Sequence, residues 1–308
     1  MKYAIQYNST FRYMSEVDEI IFIYTKENIG HLNQISSIIT KGQTAILQLE
    51  GLAEDDITED FFVDLLKLKT DVDDNLIIMI DFEDKDLLNK LKDYNFKILF
   101  KNYARSKEMI EAMGAAGAYG VYIVEELAFN LKDLQFLREK YHLQYRIFPN
   151  IAQSTKGTGS YLPPLSKFFV RPEDVSQYET YVDVFEIFNA GDRNSVLYEI
   201  YKKEQWLGNL NDIILGLVPE DDDKKFDNTT IAPHFGQMRV DCNKICLCGR
   251  CYICEEIGKL AEQFGIAGLE IVKKKKKVQR SEEEVAAAMK ELKEHINESK
   301  INGNVDGG

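Results

Sequence analysis

Five cysteines fall inside the fourteen residues DCNKICLCGRCYIC at 241–254, and the chain has no others. Their spacing is Cys242-x3-Cys246-x-Cys248-x2-Cys251-x2-Cys254. Thiolates suit soft and borderline metals, and Cys-x2-Cys steps let two sulfurs reach one ion from a tight turn. Gly249 relaxes the backbone between two of them. Cys246, Cys248, Cys251 and Cys254 supply four ligands; alternatively Cys242 replaces one of them, or His234 joins from upstream. Zinc is the first expectation, and an iron–sulfur cluster, which also takes four thiolates, is the second. A four-thiolate zinc has no open coordination position, so it is structural rather than catalytic. A secreted disulfide framework spreads an even number of cysteines along the chain. Five clustered thiols fit a reducing, cytoplasmic compartment instead.

A second set of candidates is polar and sits where apolar runs end. LIIMID ends in Asp81, GVYIV runs into Glu125 and Glu126, and KFFV is followed by Arg171. Lys101, Arg105, Asn150 and Gln153 follow other runs. VDVFEIF differs, because Glu186 lies inside the run. An acid there is costly unless it is paired or solvated in a cavity, which makes Glu186 the stronger candidate. Strand alternation puts Asp183 and Phe185 on the face opposite Val184 and Glu186. Helix capping or exposure explains Asp81, Glu125 and Glu126 equally well. Arg171 precedes a proline and fits pairing with a loop acid. The loop STKGTGSYLPP at 154–164 is long enough to close over a ligand, though a plain surface loop is commoner. No H-E-x-x-H or G-x-S-x-G occurs.

The elements that must hold these residues alternate. Strand candidates are EIIFIY at 19–24, TAILQL at 44–49, LIIMID at 76–81 and FKILF at 96–100. GVYIV at 120–124, QYRIF at 144–148, KFFV at 167–170 and VDVFEIF at 182–188 complete a set of eight. Amphipathic segments separate them at 60–69, 85–94, 106–113, 131–141 and 172–178. Eight strand–helix units predict a compact (β/α)8, TIM-like barrel, shorter than the usual size of about 250 residues. The rival, an open doubly wound sheet, would show a G-x-G-x-x-G loop, and none is present. The expected organisation is a barrel over 1–215, a cysteine-rich metal module over 216–272, and a basic linker, helix and disordered tail over 273–308. The helix at 281–299 has a serine cap, early glutamates and a narrow apolar stripe.

Net charge is −13, which argues against broad phosphate-backbone binding. The lysines at 273–277 are the one basic run and read as a solvated linker. No apolar run reaches the roughly 18 residues that span a bilayer, so no membrane partner is expected.

A strand ending in Asp81, a late strand bearing Glu186 and then CLCGRC resemble the tRNA-guanine transglycosylases and related deazaguanine-inserting zinc barrels. That resemblance implies nucleobase exchange in RNA or DNA. It implies Asp81 as the base-recognising acid, Glu186 as the nucleophile, and Cys246, Cys248 and Cys251 as zinc ligands. That family's nucleophile is an aspartate and its fourth zinc ligand a distant histidine, where this chain has Glu186 and Cys254. The run from GVYIVEELAF through FFVRPEDVSQYETYVDVFEIF resembles the later barrel strands of the collagenase-like peptidase family. Some members of that family carry iron–sulfur clusters and act on RNA or quinone precursors, with a different cysteine spacing. A third reading is non-catalytic: a metal-stabilised binding or assembly protein, joining copies or a protein partner through the C-terminal helix.

Overall fold

The structure, a computed structural model, describes residues 1–26, 32–123, 131–151, 169–188 and 193–215, with 227–231, 233, 236 and 237 beyond them. Its strands are β1 (Lys2–Gln6), β2 (Glu19–Tyr24), β3 (Thr44–Leu49) and β4 (Leu76–Ile80). They continue with β5 (Lys97–Ala104), β6 (Gly120–Ile123), β7 (Gln144–Ile147) and β8 (Val184–Ile187). All pair in parallel with their sequence neighbours. Lys2, Tyr3, Ala4 and Ile5 register with Val184, Phe185, Glu186 and Ile187, which closes the barrel. The helices are α1 (Leu32–Ile38), α2 (Glu59–Asp71), α3 (Lys85–Asp93), α4 (Lys107–Ala115), α5 (Leu131–Tyr141), the single turn α6 (Val175–Tyr178) and α7 (Asn194–Lys202). This is the TIM-like α/β barrel that the strand rhythm predicts. The five cysteines and the tail over 273–308 lie outside the described residues, and of the module expected over 216–272 only 227–231, 233, 236 and 237 are described.

The membership of the eight strands differs from the sequence expectation at two places. EIIFIY is the second strand, and the first is KYAIQ. KFFV is expected as a strand, yet its described residues, Phe169 and Val170, are buried without belonging to one. The reason is topological. Arg146 of β7 registers directly with Val184 of β8, so no free edge remains between them. Val170 instead donates its N–H to the Pro149 carbonyl at 3.0 Å.

Local chemistry sets the helices. Thr58, Asp84 and Ser106 each accept a hydrogen bond from a backbone N–H in the first turn of α2, α3 and α4, at 3.3, 3.2 and 3.2 Å. At the other ends, the returns to β4, β5, β6 and β7 each use left-handed backbone, at Asp73 and Asp74, Asn95, Gly117 and His142. Strands buried on both faces read as continuous apolar runs. Inward residues Ala4, Ile21, Ile46, Ile77, Met79, Leu99, Tyr122 and Val184 form the inner core with Phe148. Intervening residues face the helices, as Tyr145 does by donating its hydroxyl to the Leu134 carbonyl of α5 at 2.8 Å.

Candidate active site

Strand β8 turns Val184 and Glu186 into the barrel, as alternation predicts. Phe185 packs outward on Tyr3, with ring centroids 6.3 Å apart. Asp183 accepts from Arg138 Nη2 at 3.0 Å and from the Tyr145 N–H at 2.7 Å. Inside, the Tyr122 hydroxyl donates a short hydrogen bond to Glu186 Oε2. Both residues are third in strands that run toward the C-terminal mouth, the end where barrel enzymes place their chemistry. Burial pushes the Glu186 carboxyl up from 4.5 to about 7. The Arg146 charge and the Tyr122 hydrogen bond pull it down, and Glu19 adds to the rise. The Tyr122 phenol is held well above its ordinary value, first by burial and then by Glu186, so it remains a donor.

Aromatic rings cover the pair. Phe148 stacks on Tyr122 with centroids 5.3 Å apart and planes 7° from parallel. Tyr103 lies edge-on to Tyr122 at 6.1 Å and tilted against Phe148 at 5.9 Å. Phe188 meets Phe148 edge-on at 5.7 Å and is 43% exposed, so the shelf reaches solvent. A register shift in β5 between Phe100 and Tyr103 sets Tyr103 opposite Tyr122. Buried Asn150 fixes Phe188 by accepting from its N–H at 2.9 Å and donating to its carbonyl at 3.3 Å.

On the Arg146 side of the pair lies an ion pair that the sequence reading does not single out. Arg146 of β7 donates Nη2 to Glu19 Oε2 of β2 at 2.6 Å, and the side chains are 0% and 2% exposed. Nη1 reaches Gln144 Oε1 at 2.9 Å. Desolvation is the largest single influence and works against the Arg146 charge, but Glu19, Tyr122 and Glu186 together outweigh it and the guanidinium stays protonated. Its carbon lies 5.7 Å from the Tyr122 ring centroid.

Asp81 follows β4 at the rim, where its Oδ2 pairs with Lys101 Nζ at 3.1 Å. Lys101 also reaches Glu50 at 4.0 Å, and Gln48 donates to the same Glu50 oxygen. Asp81 and Glu186 therefore belong to separate polar networks. Arg171 is buried and grips Asp174 with two hydrogen bonds, Nε to Oδ2 at 2.6 Å and Nη2 to Oδ1 at 2.8 Å. Asp174 Oδ1 also accepts from the Gly236 N–H at 3.2 Å. The structure thus gives Arg171 a loop acid as partner and a place in anchoring the chain near 236. Glu125, His234 and Cys242, Cys246, Cys248, Cys251 and Cys254 lie outside the described residues. Among the described residues, no group of three or more His, Cys, Asp or Glu side chains is arranged to hold a metal, and no helix is long and apolar enough to cross a membrane.

The chain matches no protein-family model and no curated protein. Among solved structures it is similar to the U32 peptidase Mk0906, at 12% identity and a TM-score of 0.38, over 62% of this chain and 93% of that one. A U32 peptidase is a collagenase-like peptidase, the second of the two families resembled in sequence.

Proposed function

We propose that this chain is a barrel enzyme whose site is the C-terminal mouth, with Glu186 as a general acid that moves a proton. The Glu186–Tyr122 pair carries this reading: a buried carboxyl, raised to about 7, on the inner wall of a barrel. A nucleophilic carboxylate, the role implied by the transglycosylase resemblance, must be ionised, and burial here favours the neutral acid. The reading therefore moves toward the collagenase-like peptidase resemblance. The sequence run behind that resemblance contains β6, the turn Pro172–Asp174 and β8. The shelf of Tyr103, Phe148 and Phe188 suits a planar ring. A base in RNA or a quinone precursor fits it better than a plain peptide bond.

The donor set at 242–254, five thiolates, fits an iron–sulfur cluster and zinc alike. Under this reading a cluster is expected, and it would supply electron transfer beside the barrel's proton transfer. The test is protein purified without oxygen, beside its Glu186→Gln variant. The expected parent is brown, with iron and sulfide. The variant is expected to keep the colour and lose turnover of the ring-bearing substrate, by roughly 100-fold or more. Colourless protein with about one zinc, and base exchange into tRNA abolished in the variant, would overturn the reading in favour of the transglycosylase.

A further inference from the structure

Among the described residues, three buried charged side chains on strands are turned into this barrel: Glu19, Arg146 and Glu186. A buried pair such as Glu19–Arg146 is weak evidence for stability, because desolvation offsets its attraction and apolar residues of similar volume often do as well. Its placement has another use. Glu19 reaches Arg146 from β2, 127 residues earlier, and Gln144 takes the second nitrogen. The guanidinium is fixed beside the Tyr122 ring, and its Nε has no hydrogen-bond partner among the described residues. Tyr122 in turn donates to Glu186. Among the described residues, the titratable and charged groups facing Glu186 come from four strands: Tyr103 on β5, Tyr122 on β6, Arg146 on β7 and Glu19 on β2. Strand β1 sets only Ala4 beside it, and β4 lends Met79 to the same core.

We infer that Arg146 and Glu19 are positioning residues for Glu186: the cation determines how readily Glu186 gives up its proton, and Glu19 both holds that cation and tempers it. Glu19 and Arg146 act with opposite signs. Removing the Arg146 charge withdraws the group that favours ionised Glu186. Removing the Glu19 charge leaves that cation uncompensated. A merely structural pair has a different signature, because loss of either partner would loosen the interior and relax Glu186 toward an ordinary carboxyl in both cases.

The inference rests on Glu186 as the proton-transfer group, and its test needs no substrate. The carboxyl stretch of Glu186 is followed by infrared difference spectroscopy on the full chain across pH, and is assigned by its disappearance in Glu186→Gln. In Arg146→Gln the titration midpoint is expected to rise, and in Glu19→Gln to fall, each by roughly tenfold in proton affinity. Arg146→Lys keeps the charge and is expected to stay near the parent, which preserves the comparison with Glu19→Gln if Arg146→Gln does not fold. Midpoints that stay put, or that move the same way in Glu19→Gln and Arg146→Gln, would overturn the inference. So would an Arg146→Lys midpoint as far displaced as that of Glu19→Gln and in the same direction. Failure of the functional reading is a separate result, namely unchanged turnover in Glu186→Gln.

Discussion

Of the three charged residues that β2, β7 and β8 turn inward, two neutralise each other, and the third has a phenol for its close partner. That asymmetry has a thermodynamic consequence. The folded Glu186 binds its proton more tightly than an unfolded glutamate, with a midpoint near about 7 against 4.5. Its contribution to stability is therefore complete below about pH 4.5 and is lost as pH rises to about 7, a change of about 3 kcal/mol. The carboxylates Asp56, Glu108, Glu111, Glu199 and Asp227 are shifted down by hydrogen bonds and behave oppositely, losing their contribution as pH falls below the ordinary carboxylate range. Denaturant titrations between pH 5 and 7 are expected to show the parent weakening with pH and Glu186→Gln holding level. An equal slope in both would mean that Glu186 ionises freely. Glu186 is legible in sequence because an acid interrupts an apolar run. Arg146 in QYRIF gives the same signal, whereas Glu19 opens its run at a position where charge is ordinarily solvated. Tyr122 gives none, since a tyrosine in GVYIV reads as plain core, and only barrel closure aims its hydroxyl at Glu186.

At the scale of elements, helix starts are the most readable feature and strand irregularities the least. Ser106 is recognisable as a cap, and it opens α4 directly after β5, the strand whose shifted register carries Lys101 and Tyr103 to the mouth. Ser106→Ala is expected to lower the unfolding free energy by about 1 kcal/mol, and Ser106→Asp to recover most of it, read by denaturant melts. The extent of β5 is not legible. Alternation breaks at Lys101 and Asn102, so the apolar run stops at Phe100 although pairing resumes at Tyr103 and Ala104. The inserted residues are not idle. Asn102 accepts from the Phe82 N–H at 2.6 Å and donates to Glu83 at 3.0 Å, which ties the end of β5 to the loop after β4. KFFV shows the converse limit, because an apolar run reports burial, and whether it becomes a strand depends on a free edge elsewhere.

At the scale of the molecule, barrel closure uses nothing beyond residue 187. Deleting residues from 273 onward is accordingly expected to leave the thermal melt of the barrel unchanged. If the C-terminal helix assembles copies, the same deletion lowers the mass seen in sedimentation; an unchanged mass removes the assembly role. The seam between β1 and β8 also orders events in time. During synthesis β1 leaves the ribosome before the other strands, and its partner β8 follows about 180 residues later, on the order of 10–40 s at typical elongation rates. Throughout that interval β1 has an unsatisfied edge, and until β7 emerges Glu19 stands charged without Arg146. A nascent chain stalled before β7 therefore exposes a sticky strand and an unpaired acid together, which makes it a natural client for a chaperone that shields open sheet edges.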